Sequence, residues 1–410
     1  MELAKILILL ISTIVCINSF RNSPGKGVIV YLVIFAICSL IGFSRGIFGE
    51  AIILPLCLLF WRRKDVGYSP IWLVYIIFIV VSTLLRGNKV IGEYDEIMIA
   101  GFMLLAARYS LFNNEGNIYK ALSALWLFAQ CKTLNLVVLT GPSAFSVADA
   151  NDMASRMLET TTIYGEAGVI DPNYFSLVAG LGFFITIFMI KNPQKFNYHI
   201  GKNWFSYKKL LYLFLIFDLF FTIRGLSRGV LLAVMGTFVA YMYFNRMKLS
   251  HVILLAVLTI VIYSSAEYLP IIGGFVNRFE NDDAGGGRFF IWTAMANVIL
   301  QDGFFAVLFG EGLNFHWWVH ENTVSKGELL SSHNSFVTIF IATGILGGII
   351  MMYLISKAYI SAYKIKSPEV VYKVVLLSYI VLGSMSIEPL HFAWAWIVLA
   401  FGCSATTKQV

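Results

Sequence analysis

The chain is a succession of apolar runs separated by polar links. The runs fall at approximately 3–20, 28–43, 47–61, 70–85, 96–112, 119–140, 173–190, 209–223, 229–245, 251–266, 334–356, 371–387 and 392–404. That makes about 13 segments, many of them long enough to cross roughly 30 Å of hydrocarbon as helices. The first three and the last are short. The expected fold class is all-α: a polytopic integral membrane protein with about 12–13 transmembrane helices. Residues 1–410 form a single membrane domain. The first run has Lys5 in front of it like a signal peptide, but no small-residue cleavage site follows, so it reads as a retained helix. No internal repeat is visible.

Lysines and arginines in the links orient the runs. The links with Arg62-Arg63-Lys64, with Lys191 to Lys209, with Arg246 and Lys248, and with Lys357 to Lys373 all fall on one side under this segmentation. That side is the cytoplasmic one. The opposite, outer side receives a first loop at 141–172, the short turn from Arg224 to Gly229, and a large loop at 267–333, the two loops that would be periplasmic under the resemblance described below. Long loops on one face are where function concentrates, so the last is expected to carry the catalytic parts and short helices of its own. The segmentation puts the N-terminus outside, or inside if one N-terminal run does not span.

Composition sharpens the class. The sequence is 59% hydrophobic and only 13% charged, with mean hydropathy +0.78. A globular chain carries about 25% charged residues, so this one cannot cover a water-facing surface. The net charge of +7 comes from basic residues dispersed among links and does not argue for nucleic acid. The five cysteines lie in or at the ends of apolar runs, which gives neither a disulfide framework nor a CxxC zinc spacing. Most lysines fall on the cytoplasmic side. Arg45, Arg86, Arg156, Arg224, Arg228, Arg278 and Arg288 instead fall at or beyond the outer boundary. Arginine placed against the charge rule suggests a ligand needing a planar, always-charged fork, such as phosphate or carboxylate. Pairing with loop carboxylates is the alternative.

Several motifs lie on that outer side. Arg224 and Arg228 in TIRGLSRGVLLA share a face if the segment is helical. Gly225 and Gly229 allow a tight turn, and Asp218 within its apolar run could neutralise one of the two arginines, a structural pair with Arg224 being the alternative to a functional role. Lys132 is a second charge inside a run, reaching the outer interface or an anion there. Gly285-Gly286-Gly287-Arg288 precedes RFFIWTAMANVIL, which has helical length and composition. A glycine turn opening a helix offers free N–H groups to an anion, and Arg288 at a helix N-terminus makes sense if an anion shares the site. Alternatively Arg288 pairs with Glu280, Asp282 or Asp283. His316, His320, His333 and His391 are the outer histidines. The first two stand four apart but lack the HExxH order and a third ligand, so no metal is expected. His333 directly precedes a long membrane helix, with Ser332 or Asn334 as candidate N-cap. A helix N-terminus favours a neutral imidazole, which suits a general base; a capping or interfacial histidine is the alternative. Asp171-Pro172-Asn173 before the seventh run is explained by capping alone. Aromatics crowding the outer loops fit a membrane interface.

The ordered set resembles the O-antigen ligase/polymerase superfamily of bacterial envelope glycan enzymes. It comprises SRG opening a membrane helix, GR-x-x-I-W in a large outer loop, G-x-G at Gly310 and Gly312, and then His333-Asn334 starting a helix that carries Gly344 and Gly347. DPN-Y-F at 171–175 belongs to the same likeness, which covers roughly residues 160–360. The resemblance implies a metal-independent membrane glycosyltransferase of the C-type lineage in the bacterial inner membrane, with its site facing the periplasm and no cofactor. It implies that the donor and acceptor are undecaprenyl-diphosphate-linked oligosaccharides. Arg228 and Arg288 would hold the diphosphate, and His333 would be the base or the group that positions the acceptor. Arg224, Arg278, Asn334, Asp171, Asn173 and Gly287 are the accompanying candidates for substrate binding, Arg278 on the charge argument alone.

Two acceptors remain open. A polymerase transfers the chain to another lipid-linked repeat unit; a ligase transfers it to lipid A-core. The DPN motif, the lack of a strongly basic outer surface and Ser331 two positions before His333 favour the polymerase. A lipid-linked glycan transporter is the alternative of another class, though it would need inverted repeats and midplane charges. Membrane lipids are expected partners, and a chain-length regulator is a candidate one.

Overall fold

A computed structural model of the chain describes residues 2–40, 53–61, 76–77, 80, 93–112, 115–141, 158–161, 167–170, 172–200, 208–225, 227–245, 288–312, 332–365 and 367–405. The apolar runs among them are helices: α1 (Glu2–Asn22), α2 (Pro24–Leu40), α3 (Ile53–Trp61), α4 (Glu93–Phe112) and α5 (Glu115–Thr140). After these come α6 (Pro172–Lys191), the short α7 (Pro193–Ile200), α8 (Lys208–Arg224) and α9 (Arg228–Phe244). The chain continues with α10 (Arg288–Gln301), α11 (Phe304–Phe309), α12 (Ser335–Lys364), α13 (Pro368–Ser384), one 3₁₀ turn at Pro389–His391, and α14 (Ala393–Cys403). The runs expected at 251–266 and over most of 70–85 lie outside the described residues.

The all-α expectation needs one amendment. Two strands, β1 (Leu158–Thr161) and β2 (Ala167–Ile170), pair antiparallel with Leu158 opposite Ile170. They fall in the segment 141–172, which reads in sequence as a plain loop. The expected helix after Gly287 is present as α10.

By length and composition, Asn173–Lys191 and Ser335–Lys364 are able to cross a membrane, and four shorter helices are strongly apolar. Exposure adds a second argument. Leu213 and Ile216 on α8, Leu232 and Val239 on α9, and Ile349 and Ile360 on α12 are each more than half exposed. In water each would forgo about 1.5–3 kcal/mol of burial, and outward apolar faces on that scale mark a membrane or a partner. The molecule is a helical membrane protein.

Besides a buried mid-helix network around Asp218, polar interactions gather at the two ends of the bundle. At one end Lys195 pairs with Glu115 at 2.5 Å, Tyr119 Oη donates to Glu369 at 2.7 Å, and Lys191 donates to Asn245 at 2.8 Å. The buried Lys373 there donates to the carbonyl of Phe112 at 2.9 Å and lies 3.4 Å from that of Ser404. It thereby serves the C-terminal ends of α4 and α14, where a cation is favoured. These residues belong to the links and ends that the basic residues marked in sequence. The opposite ends of the helices, where α6, α9, α12 and α14 begin, carry the candidate site.

One backbone feature positions that site. α12 is two helices broken at Gly344, whose φ of 66° and ψ of −175° are non-helical. The break comes nine residues into the helix, about 14 Å along its axis. It strips nearby carbonyls of their helical partners, which is expensive in hydrocarbon. The segment after α11 supplies them: Glu311 N donates to Ile341 O at 2.8 Å and Gly312 N to Ala342 O at 3.1 Å. A Cβ on Gly344 would stand 2.3 Å from Leu308 O, and one on Gly310 would stand 2.5 Å from the backbone of Ala342. Gly310 and Gly344 are therefore two sides of one backbone crossing.

Candidate functional site

The turn from Met385 to Phe392 joins α13 to α14, and the start of α12 is bolted to it. Asn334 is the N-cap of α12; its Oδ1 accepts from Phe336 N at 2.9 Å and Val337 N at 3.2 Å. Its Nδ2 donates to Met385 O at 3.1 Å. Ser335 N reaches Ile387 O at 3.4 Å, and Leu390 N donates to Ser335 Oγ at 3.3 Å. Both ends of the Asn334 amide are thus committed to backbone, which makes it a positioning group.

Ser332 closes the other side. Its Oγ accepts from Asn334 N at 3.0 Å and donates to Glu388 Oε1. Thr338 Oγ1 donates to the same carboxylate oxygen at 2.7 Å. His333 stands between these two fixed residues with φ of 50°, and among the described residues no other non-glycine has positive φ. An L-residue held in that region costs about 1–3 kcal/mol and persists only when its surroundings over-determine it. The side chain that this backbone presents is exposed.

Both arginines with a motif match arrive at the same turn by helix starts. Arg288 is the first residue of α10, and one turn on, on the same face, Trp292 Nε1 donates to Ser332 O at 2.7 Å. Arg228 is the first residue of α9, behind the N-cap Ser227. The next residue, Gly229, packs so tightly that a Cβ there would stand 1.8 Å from Ser386 Oγ. Both arginines are half-buried. The DPN segment comes close as well. Pro172 and Asn173 open α6, and the Tyr174 ring lies 4.1 Å from that of Phe392. Tyr174 Oη also accepts from Trp394 Nε1 at 3.1 Å. Five helices, α6, α9, α10, α12 and α14, therefore begin around one turn. Their aligned N–H groups carry partial positive charge, and with two arginines they make a place suited to an anion.

Glu388 and His391 complete it, and the sequence reading did not assign them. Both come from EPLH at 388–391; an acid and a histidine three apart in an apolar stretch are the available signal. Glu388 is buried, and its Oε2 lies 3.8 Å from His391 Nδ1. Burial holds the His391 imidazole below its usual pKa; Glu388 pulls it back up and His333 pushes it further down.

Two expectations about charges are corrected. Arg224 and Arg228 do not share a helical face, because Arg224 ends α8, Gly225 turns, and Arg228 starts α9. Nor is Asp218 placed to neutralise Arg224. Six residues along one helix turn about 240° beyond a full circle. The Asp218 carboxylate accepts from Gln130 Nε2 at 2.9 and 2.8 Å and from Thr186 Oγ1 at 3.2 Å. Arg224 is buried at the end of α8. The Lys132 ammonium lies 5.3 Å from the centre of the Phe35 ring, a cation–π contact. Arg278, Asp171, Gly287, His316 and His320 lie outside the described residues.

The fold and this rim define a helical membrane protein with an anion-attracting site and an exposed imidazole at one end of its bundle. The family model described as O-antigen ligase matches residues 211–352, from within α8 to within α12. Over that stretch the chain is similar to the O-antigen ligase family, which supports the resemblance to the O-antigen ligase/polymerase superfamily. The match takes in Arg224, Arg228, Arg288, His333, Asn334 and the Gly310–Gly344 crossing; it ends before Glu388. No curated protein matches the chain.

Proposed function

We propose that the protein is a polyprenyl-diphosphate-dependent glycosyltransferase of the bacterial inner membrane, acting at the periplasmic face as a repeat-unit polymerase. The observation that carries this reading is the convergence of the Arg228 and Arg288 helix starts with His333 on the Met385–Phe392 turn. In this reading Arg228 and Arg288 hold the diphosphate of an undecaprenyl-linked glycan. The acceptor hydroxyl oxygen attacks the anomeric carbon, its proton passing to His333. The bond from that carbon to the diphosphate oxygen breaks, and the electron pair leaves with the lipid diphosphate. Preorganised positive charge suits the charge that develops on this leaving group, and the step requires no metal. Arg224 supports the rim from the end of α8. Asn173 belongs to the α6 side, and Asp171, Arg278 and Gly287 stay substrate-binding candidates on the sequence argument alone. Asn334 acts by fixing His333. On this reading the bundle end bearing α6, α9, α12 and α14 starts is periplasmic, the chain crosses the membrane about 12–13 times with helices of the length a bilayer needs, and a chain-length regulator is a further partner.

The acceptor decides between polymerase and ligase. A lipid-linked repeat unit is favoured by the DPN segment at the start of α6 and by Ser331. Transfer to lipid A-core is the second reading, favoured by the description of the matched family. Deleting the gene and resolving surface polysaccharide on a gel separates them. Single repeats on the core support the polymerase. Chains absent from the core but accumulating on carrier lipid support the ligase. Unchanged surface polysaccharide would refute both.

A further inference from the structure

Glu388 is a buried carboxylate, and burying one costs several kcal/mol unless hydrogen bonds and charge compensate it. Its Oε1 accepts from Ser332 Oγ and, at 2.7 Å, from Thr338 Oγ1. These two hydroxyls flank the strained segment: Ser332 precedes His333, and Thr338 lies in the first turn of α12. One carboxylate oxygen therefore grips the chain on both sides of His333, and Ser332 Oγ passes the grip on to Asn334 N at 3.0 Å. The other oxygen, Oε2, faces His391 Nδ1 at 3.8 Å. A neutral amide would satisfy two hydroxyl donors equally well. What a carboxylate adds is a negative charge, 3.8 Å from His391 Nδ1 and one residue removed from His333 through Ser332, in a rim otherwise furnished with arginines and helix N-termini.

We infer that Glu388 is a positioning residue for His333: it holds the His333 backbone through Ser332 and Thr338, and its charge offsets the imidazolium formed when His333 takes the acceptor proton. The inference rests on the transfer reading given above, in which the rim gains one positive charge at His333 as the new O–C bond forms. Without a nearby carboxylate that charge would build up against Arg228 and Arg288. His391 lies on the other side of the same carboxylate, with its Nδ1 3.8 Å from Oε2.

The test uses the full-length protein in lipid nanodiscs with lipid-linked oligosaccharide extracted from a strain deleted for its gene. Glu388→Gln keeps the shape and an acceptor oxygen for both hydroxyls and removes only the charge. Its kcat is expected to fall about 10- to 100-fold, less than the roughly 10²–10⁴-fold a general base itself contributes. KM for the lipid-linked donor should stay unchanged, and Glu388→Asp should recover part of the kcat. A Glu388→Gln variant with full kcat would overturn the inference, as would one whose loss lies wholly in KM. Should that variant not accumulate in membranes, Ser332→Ala decides, because it keeps the carboxylate and cuts the grip: lowered kcat at unchanged KM supports the inference, and full kcat overturns it. Arg228→Ala and His333→Ala run alongside. If those two retain full transfer, the transfer reading itself has failed; if they lose it while Glu388→Gln and Ser332→Ala do not, only the role of Glu388 has failed.

Discussion

Gly344→Ala tests whether the crossing of two backbones, rather than a run of small residues, is what the glycines serve. At φ of 66° and ψ of −175° the position is open only to glycine, and alanine there costs about 1–3 kcal/mol. The added Cβ would also stand 2.3–2.4 Å from Leu308 O, Leu308 C and Phe309 N. Those are backbone atoms and cannot swing aside, so α11 must withdraw. Withdrawal breaks the bonds from Glu311 N to Ile341 O and from Gly312 N to Ala342 O, each contributing about 0.5–1.5 kcal/mol. The total is about 2–6 kcal/mol. Gly303→Ala is the control. Its φ of 90° carries the same kind of conformational cost, but nothing lies within 4 Å of the added Cβ, so about 1–3 kcal/mol is expected. Thermal unfolding of both purified variants at one scan rate in one detergent makes the comparison. Gly344→Ala should melt clearly below Gly303→Ala and lose more glycan transfer, because α11 leads back to α10 and Arg288. Equal melting of the two would refute the crossing as the reason for Gly344.

Other expectations follow from the same geometry. His333→Gly removes the imidazole but relieves about 1–2 kcal/mol of left-handed strain, against about 0.5–1 kcal/mol of extra unfolded-chain entropy. It should therefore match or exceed the stability of His333→Ala in a melting assay, with transfer abolished in both. Gly229→Ala collides with Ser386, whose Oγ and Cβ would lie 1.8 and 2.6 Å from the new Cβ. Adding Ser386→Gly should restore much of the lost stability, measured as a double-mutant cycle. Arg228→Ala and Arg288→Ala should each lower transfer by roughly 10²–10³-fold, as loss of a charge-stabilising donor does, and lysine should rescue only in part because it lacks the planar fork. Burial lowers the His391 pKa in the folded state, so below the unfolded value of about 6.5 the unfolded chain binds the extra proton and stability falls as pH falls. Melting curves between about pH 5 and 7.5 should flatten in His391→Gln.

Much of the scaffold follows from local chemistry alone. Long apolar runs must satisfy their backbone groups internally, so they become helices wherever they are described; α6, α8, α9 and α14 match the runs at their ends within a residue or two. Arg228 and Arg288 as helix-opening residues, and His333 beside a capping Asn334, are also legible, because caps and N-termini are written in residue type and order. The hairpin at 158–161 and 167–170 is not, since four-residue strands in a polar link carry little pattern.

Tertiary structure decided the rest. Gly310 and Gly344 lie far apart in sequence, and only packing makes them one crossing. Asp218 and Arg224 look paired on paper, yet helix geometry turns them apart and gives Asp218 to Gln130 and Thr186. Glu388 is invisible as a partner of His333, because 55 positions separate them in the chain and the link runs through Ser332. Residue types set by solvent and helix ends are local and can be read from the chain. Which helix starts meet around one turn depends on how the helices pack, and that is what brings the starts bearing Arg228 and Arg288 to the segment of His333 and Glu388.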